Sequence, residues 1–245
     1  MQTLALSGVD PLFRLLSRYM ALDDKDRDAL MGLESGPLIE KCARSDLARE
    51  GENPTVIRLL VSGWAFRYKD LPDGRRQIVG FFLPGDFCDM NVYILSELDH
   101  SIGALTRVQY YEIAPEQFQN VMDTRPHLAQ ALLWHELVNS GIQREWLLSI
   151  GQRSPIERLA HLFVELFQRL KAVGLTQGHQ FDFPVTQHNL ADANGLSLVH
   201  VNRTLQEMRR DGLIEIADRH LRIVDFARLN QIAMFNSNYL HFNRE

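Results

Sequence analysis

The sequence predicts an α+β fold. An N-terminal antiparallel β-roll, jelly-roll-like and flanked by helices, would precede one long helix and a C-terminal helical domain that ends in a β-hairpin. Three patterns predict this order: short alternating runs closed by turn residues up to position 113, a stretch over 127–150 whose only glycine or proline is Gly141, and two short capped helical segments beyond position 183. A period of two indicates strands in the first region, and helical spacing indicates helices in the others.

The composition is that of a soluble globular protein. Of 245 residues, 45% are hydrophobic and 23% are charged, which excludes disordered, collagen-like and disulfide-scaffold chains. No uncharged apolar run reaches the roughly 18 residues of a membrane-spanning helix. Met1–Asp10 lacks the basic and apolar regions of a secretory signal. We therefore expect a cytoplasmic protein with no membrane partner.

The two cysteines, Cys42 and Cys88, form no CxxC pair. A structural zinc site and an iron–sulfur cluster held by four cysteines are therefore excluded, and no metal site is predicted. We expect two structural thiols in a reducing compartment, and a disulfide between them is the alternative.

The net charge of −5 is unevenly spread. From Gln152 onward, 11 basic side chains stand against 10 acidic ones, giving +1, whereas the preceding part carries −6. This balance does not by itself indicate a nucleic-acid binder. Any contact with DNA must be local and lie in the C-terminal part.

Changes in the pattern of apolar and turn residues divide the chain into four regions: a β-roll with N-terminal helices (1–124), a long helix with a hinge at Gly151-Gln152-Arg153 (125–151), a C-terminal domain (152–230) and a tail (231–245). Short amphipathic helices are predicted over 10–33. Strands are predicted at 56–61, 64–68, 78–83 and within 102–113.

The stretch over 127–150 predicts a helix about 36 Å long that is apolar on more than one side. One stripe, assigned to the dimer helix, comprises Leu128, Ala131, His135, Val138 and Ile142; Leu133, Leu137 and Leu148 lie elsewhere around the axis. A helix with two apolar faces needs two surfaces to cover it. The chain's own barrel can be one, and the same helix of a second subunit the other. The alternative is that the C-terminal part covers it.

A helix-turn-helix is predicted beyond position 183. Thr186 can cap a helix over 187–193, and Ser197 can cap a second helix over 198–210. Gly195 lies in the turn between them and is free to adopt a positive φ. Small and apolar residues stand at the spacing that two crossing helices require: Ala191, Gly195 and Val201. A capping box at Ser154 and Glu157 starts an earlier helix.

The second helix divides into two faces. Its apolar stripe is predicted to comprise Leu198, Val201, Leu205 and Met208, and polar side chains cluster nearly opposite. Arginine can read guanine, asparagine and glutamine can read adenine, and valine can meet a thymine methyl group. A hairpin wing over 214–223 could touch a phosphate. The candidate DNA-binding residues are Thr186, Gln187, Ser197, Leu198, Val199, His200, Asn202, Arg203, Gln206, Arg210, Arg219 and His220. A solvated surface without a ligand is the alternative.

Six segments carry a resemblance to a known family. They are Leu-Pro-Asp-Gly-Arg-Arg-Gln-Ile at 71–78, Leu-Pro-Gly-Asp at 83–86, Ser-Pro-Ile-Glu-Arg-Leu-Ala at 154–160, Leu-Ala-Asp-Ala-Asn-Gly-Leu-Ser at 190–197, Val-Asn-Arg-Thr-Leu at 201–205 and Asp-Gly-Leu-Ile at 211–214. With them the chain resembles the CRP/FNR family of bacterial transcription regulators (cyclic-AMP receptor protein and fumarate–nitrate regulator). The resemblance spans residues 10–230. It implies a cyclic-nucleotide-binding-type β-roll as sensor, a dimerisation helix and a winged helix-turn-helix for double-stranded DNA.

The family's base-reading positions fall on Leu198, Val199, His200, Asn202 and Arg203. Arg203 matches the family arginine that reads guanine. Val199 stands where many members carry a glutamate that contacts the operator. The resemblance therefore implies a half-site different from those of the best-studied members.

The resemblance also implies an effector pocket, placed at Gly85, Asp86, Phe87, His100 and Ser101. Cyclic-nucleotide binders of this fold resemble one another in a Gly-Glu pair and in a later arginine that pairs with the cyclic phosphate. Here Asp86 is one methylene shorter, and a neutral His100 cannot supply a charged bidentate fork. Cysteines clustered near the N-terminus, as in the oxygen-sensing branch, are absent. We expect no cofactor and either an unknown effector or none; a cyclic nucleotide, or haem held by His100 or Cys88, is the alternative.

No enzymatic activity is expected, and no catalytic residue is assigned. The nine histidines are scattered, the strand region contains no HxH, and the P-loop, GxSxG and HExxH motifs are absent. The sequence predicts a DNA-binding transcription regulator that binds a pseudo-palindromic operator as a homodimer and acts with RNA polymerase. The alternative from a different class is a small-molecule-binding β-roll scaffold without a role on DNA.

Overall fold

The computed structural model describes residues 9–90, 94 and 96–242. Residues 1–8, which belong to the predicted first region, lie outside this part, as do 91–93, 95 and 243–245. The chain forms two compact units. The first contains the described residues within 1–69, 80–139 and 241–245, and the second contains 70–79 and 140–240.

The first region contains the predicted antiparallel β-roll. Helices α1 (Val9–Leu16) and α2 (Asp24–Leu33) precede the strands β1 (Leu38–Lys41), β2 (Asp46–Ala48), β3 (Ile57–Ser62), β4 (Ala65–Asp70), β5 (Arg76–Phe82), β6 (Phe87–Cys88), β7 (Ser101–Ala104) and β8 (Val108–Ile113). The strands form two four-stranded sheets, in the orders β1-β8-β3-β6 and β2-β7-β4-β5. Sequence patterns predicted β3, β4, β5, β7 and β8 but missed β1, β2 and β6.

Apolar residues from both sheets fill the roll. In β3 and β8, Leu59 lies opposite Tyr111 in the register, and Ile57, Leu59 and Tyr110 are fully or almost fully buried. Burial of such side chains stabilises the roll by about 1.5–3 kcal/mol each. The α+β fold class is confirmed.

Two helices follow the roll, α3 (Pro115–Thr124) and α4 (Pro126–Gln152). The predicted long helix is confirmed, and at 27 residues it is slightly longer than expected. Gly151 and Gln152 are its last residues, so the hinge predicted at 151–153 is wrong for these two. The residues between α4 and α5 are Arg153 and Ser154. Arg153 closes the last turn, because its backbone N–H donates to Ser149 O (3.2 Å) and its guanidinium donates to Glu145 O (3.3 Å) and to Ser149 Oγ (2.8 Å).

The C-terminal elements are α5 (Pro155–Ala172), β9 (Gln180–Asp182), α6 (Gln187–Asn194), α7 (Leu198–Arg210), β10 (Ile214–Ala217), β11 (His220–Ile223), α8 (Phe226–Ile232) and the 3₁₀ helix η1 (Ser237–Leu240). The predicted start of α5 is confirmed, because Ser154 N donates to Glu157 Oε2 at 2.7 Å. The predicted hairpin is confirmed as β10–β11, and β9 adds an unpredicted third strand. No helix in the described ranges is long and apolar enough to cross a membrane.

Candidate nucleic-acid interface

Helices α6 and α7 are joined by the predicted tight turn. Thr186 caps α6: its Oγ1 accepts from Asn189 N (3.2 Å), and its own N–H donates to Asn189 Oδ1 (3.1 Å). Gly195 has φ 60°, and Leu196 N donates back to Ala191 O at 3.1 Å. Ser197 Oγ then accepts from His200 N at 3.3 Å and starts α7. Each of these local hydrogen bonds fixes where a helix begins or ends.

One side of α7 is buried. Val201, Leu205 and Met208 are at most 2% exposed, and Thr204 is buried beside them. The predicted apolar stripe is therefore confirmed for these three residues. It is wrong for Leu198, which is 39% exposed, because this first helical residue lies beyond the region where α7 is covered.

The opposite side of α7 is open. Six candidate residues are exposed there: Val199, His200, Asn202, Arg203, Gln206 and Arg210. Val199 is 75% exposed, although it is apolar. Among the described residues no ion pair is recorded for Arg203, whereas Arg210 pairs with Asp211 at 3.2 Å. The face thus offers cationic, amide and apolar groups, which are the types of contact that read base edges.

Gln187, the first residue of α6, reaches this face. Its Oε1 accepts from Asn202 Nδ2 at 3.3 Å, and both side chains are exposed. This bond orients the amide of Asn202: one of its N–H groups is bonded to Gln187, and its Oδ1 points away from Gln187.

The two tip residues of the hairpin differ. Arg219 is exposed, with φ 62°. Both ring nitrogens of His220 have partners within the chain: Nδ1 lies 2.8 Å from Asp218 O, and Nε2 lies 2.9 Å from Asp182 Oδ1 on β9. Arg219 is therefore the tip cation that is free to meet an external phosphate.

Helix α5 fixes the helix-turn-helix from behind. Arg158 donates through Nε to Arg153 O and through Nη1 to Asn194 O, both at 2.8 Å. The side chain of Asn194 is buried and donates to Leu190 O at 2.8 Å. The turn is thus held by one buried and two part-buried hydrogen bonds, which support the exposed face of α7.

The five predicted effector residues play several structural roles in the β-roll. A Cβ at Gly85 would stand 2.8 Å from Pro11 Cβ, so this glycine allows α1 to pack closely. Asp86 Oδ2 accepts from Leu83 N at 2.8 Å, and Ser101 Oγ accepts from Glu50 N at 2.9 Å. Phe87 is buried in edge-to-face contact with Phe118.

His100 lies in a charged cluster that the sequence did not reveal. Its Nε2 is 2.9 Å from Asp89 Oδ2 and 3.1 Å from Arg67 Nε, and Arg67 Nη2 is 2.6 Å from Asp89 Oδ1. The side chains of Asp89, His100 and Arg67 are only 7%, 11% and 25% exposed. Arg67 also lies over the ring of Phe82 at 5.0 Å. An anionic effector here would have to compete with Asp89 for both cations.

Protonation of His100 decides between two of these bonds, since one ring nitrogen cannot both accept from Arg67 and donate to Asp89. Burial and the charge of Arg67 lower the pKa of His100, but the hydrogen bond and charge of Asp89 and the hydrogen bond of Asp99 outweigh them, and the net pKa is raised. Burial raises the pKa of Asp89, but His100 and Arg67 outweigh it, and the net pKa is lowered. Both shifts favour an imidazolium held between Asp89 and Asp99.

Helix α4 has one buried and one exposed apolar face. The five residues assigned to the dimer helix, Leu128, Ala131, His135, Val138 and Ile142, are all buried by the chain itself. A partner would therefore meet the other face, since Leu133 and Leu137 are each 58% exposed and Leu147 is 73% exposed. With Ser140 and Arg144 between them, these residues follow the 4-3-4-3 spacing of a coiled-coil seam.

Both the C-terminal helix-turn-helix region and the β-roll match known protein families. Residues 157–232 match the Crp-like helix-turn-helix domain, and residues 40–125 match the cyclic nucleotide-binding domain. The chain is 32% identical to the transcriptional activator protein FnrL of Cereibacter sphaeroides over 183 residues, 73% of each chain. It is also 32% identical to the nitrogen fixation regulation protein FixK of Bradyrhizobium diazoefficiens over 166 residues, 68% of this chain and 69% of that one.

The chain belongs to the CRP/FNR family of transcription regulators. The structure of FixK2 from Bradyrhizobium japonicum superposes with a TM-score of 0.71 at 21% identity and covers 80% of this chain and 96% of that one, which shows a shared fold. As a family member, this protein is a DNA-binding transcription regulator and not an enzyme. In the described part of the chain, no group of three or more His, Cys, Asp or Glu side chains is arranged to hold a metal ion.

Proposed function

We propose that this protein binds a two-fold-symmetric operator as a homodimer, with one α7 helix of each protomer in the major groove, and that neither a cyclic nucleotide nor haem is required. The two half-sites would lie about 34 Å, or roughly 10 base pairs, apart. RNA polymerase is the proposed partner at the promoter. The relatives named as transcriptional activators support this partner.

The observation that carries the proposal is the open face of α7. Arg203 provides a bidentate donor for guanine O6 and N7, and Asn202 and Gln206 provide amides for adenine. Val199 offers apolar contact to a thymine methyl group. The N-termini of α6 and α7, capped by Thr186 and Ser197, offer backbone N–H groups to phosphates, and Arg219 on the wing adds a cation.

The exposed seam of α4 supports the dimer. Leu133, Leu137 and Leu147 form a stripe at coiled-coil spacing, and a second copy of the helix would cover it by an isologous contact. Such a contact would relate the two recognition helices by the same two-fold axis as the operator.

The charged cluster in the roll supports effector independence. Arg67 and His100 already share a buried carboxylate, Asp89, so an incoming cyclic phosphate would have to displace a bonded internal anion. Displacing one partner of a buried pair costs about 3–5 kcal/mol before any gain from the ligand.

Selection of bound sequences from random duplex DNA tests the proposal. The full chain is used without ligand, and parallel arms contain cyclic AMP, cyclic GMP or haem. We expect enrichment of one two-fold-symmetric sequence in every arm at the same depth. Enrichment only with a ligand would refute effector independence, and no enrichment in any arm would refute the DNA site.

The dimer has its own test, Leu137→Glu. A carboxylate in the seam should give a monomer in sedimentation analysis and weaken binding to the selected palindrome by more than about tenfold. Met31→Glu is the matched control, because Met31 is also exposed and apolar but lies on α2. A dimer that survives Leu137→Glu would contradict the assignment of this face.

A further inference from the structure

A buried carboxylate holds together three segments of the second unit. Glu165 of α5 is completely buried. Trp146 Nε1 of α4 donates to both of its oxygens at 3.2 Å, and Tyr239 of η1 donates its hydroxyl to Oε2 at 3.2 Å. Arg169 Nη1 lies 3.6 Å from Oε1. All of these neighbours can donate to the carboxylate. Burial raises the pKa of Glu165, and Arg169, Trp146 and Tyr239 lower it by less, so the net pKa is raised.

The segment that contributes Tyr239 lies beyond the part that matches the helix-turn-helix domain, which ends at residue 232. It is nevertheless packed as core: Ala233 and Leu240 are fully buried and Tyr239 almost so. His161 of α5 stacks on Tyr239, with ring centroids 6.0 Å apart and 19° between the planes. Its ring centroid lies 5.2 Å from that of Phe235. Burial, with Arg153 nearby, lowers the pKa of His161 to about 3, so this ring is neutral in the stack.

The same segment touches α4 through its backbone. A Cβ at Gly141 would stand 3.1 Å from Tyr239 O, so the absence of a side chain there lets the segment approach the helix. Residues 233–240 therefore contact α4 at Gly141 and α5 at Glu165 and His161. Along the chain these two helices are linked by Arg153 and Ser154. Side-chain contacts also join them directly, through Trp146 to Glu165 and through Glu145 to His161 (3.4 Å).

We propose that Tyr239 and Glu165 are positioning residues for operator binding: together they fix the angle between α4 and α5, and so the spacing at which the two recognition helices of a dimer meet DNA. Neither residue touches DNA. Glu165 acts through Trp146 on α4, and α5 carries the helix-turn-helix through the bonds of Arg158. This inference rests on the proposed dimer.

Two variants weaken the contact from opposite sides. Tyr239→Phe removes the hydroxyl bond to Glu165 but keeps the ring in its stack. Gly141→Ala crowds Tyr239 from the helix side, although alanine favours the helix itself. Tyr68→Phe is the control, because it removes another tyrosine hydroxyl bond to a carboxylate, the part-buried one to Asp46 Oδ1 at 2.9 Å, in the first unit.

The experiment measures affinity for three duplexes: the selected palindrome, the same palindrome with two base pairs added between half-sites, and a single half-site. For wild type we expect a clear preference for the selected spacing. Both variants should lose about two- to tenfold of that preference, the range of one net hydrogen bond, and should keep half-site affinity and base preference. The control should keep all three values.

The outcomes separate the two claims. An unchanged spacing preference in folded Tyr239→Phe and Gly141→Ala overturns the positioning role. An equal loss on all three duplexes also overturns it, because a structural role alone would weaken every complex alike. A wild-type chain with no sequence preference would instead refute the proposed function, and that arm is read first.

Discussion

The exposed face of α7 and the charged cluster of the β-roll contain similar residue types, but those of α7 are open to solvent and those of the cluster are bonded to one another. On α7, the cation of Arg203 and the amide of Gln206 point to solvent, and no ion pair is recorded for Arg203 in the described chain. In the roll, Arg67, Asp89 and His100 are bonded to one another and mostly buried. One surface has its hydrogen-bonding capacity available for a ligand, and the other has used that capacity within the chain.

This difference shows why residue type alone does not mark a binding site. A histidine and an arginine in a β-roll indicate an anion site only when no internal carboxylate holds them. The availability of donors and acceptors, which depends on tertiary neighbours, is what distinguishes the two regions.

The largest effect is expected from a substitution that breaks the charged cluster. Asp89→Asn removes the buried carboxylate that Arg67 and His100 share and leaves His100 with only the exposed Asp99, so the free energy of unfolding should fall by about 3–5 kcal/mol. Denaturant titration measures it. Asp99→Asn is the control, since that side chain is 83% exposed and should change stability by less than about 1 kcal/mol. Equal stability of Asp89→Asn and wild type would show that the cluster contributes nothing.

Arg203→Ala removes one group from the open face. It should weaken operator binding by about 1–3 kcal/mol and relax one base position, with little change in unfolding. Repeating the sequence selection with the variant measures both effects. Arg75→Ala is the control: Arg75 is also an exposed arginine, and it pairs with Asp73 in another loop. Full wild-type specificity after Arg203→Ala would remove this residue from the interface.

Thr186→Ala tests the support of the open face. Loss of the N-cap of α6 should lower the free energy of unfolding by about 1 kcal/mol. Base preference should not change, because the cap hydroxyl is bonded to Asn189. Thr124→Ala, at the C-terminal end of α3, should change stability less, as its hydroxyl only donates to Asn120 O. A changed base preference in Thr186→Ala would indicate direct readout by Thr186.

The smallest effect concerns pH. The pKa of His100 is raised above its ordinary value of 6.5 in the folded chain. Its contribution to stability is therefore fully present below pH 6.5 and is lost as the pH rises through the folded pKa. The stability difference between wild type and His100→Gln should shrink over that rise, as urea titrations at a series of pH values would measure. A difference that grows with pH would contradict the sign of the shift.

The sequence predicted those parts of the fold that depend on local signals. Thr186, Gly195 and Ser197 each act on the backbone within a few residues, so the bounds of α6 and α7 could be predicted closely. The exposed face of α7 followed from helical periodicity. Leu198 was misplaced because periodicity gives the direction of a side chain but not how far along the helix the covering surface extends.

The cluster around Asp89 could not be predicted in the same way. Asp89 meets Arg67 and His100 only because the end of β6, the strand β4 and the start of β7 come together in the roll. One sequence signal was available: the carboxylate directly follows two apolar residues, Phe87 and Cys88, which the structure shows to be buried. The tail was likewise expected only as a tail, since the burial of Tyr239 and Leu240 depends on a surface formed by α4 and α5.

The bond between Gln187 and Asn202 has a consequence for how operator preference can diverge. In the proposed function, Asn202 would read DNA with an amide whose orientation depends on Gln187, 15 positions earlier in the sequence. Substitutions at the two positions should therefore have non-additive effects on base choice. A lineage that changes its target sequence at this base pair would need paired substitutions, one in each helix.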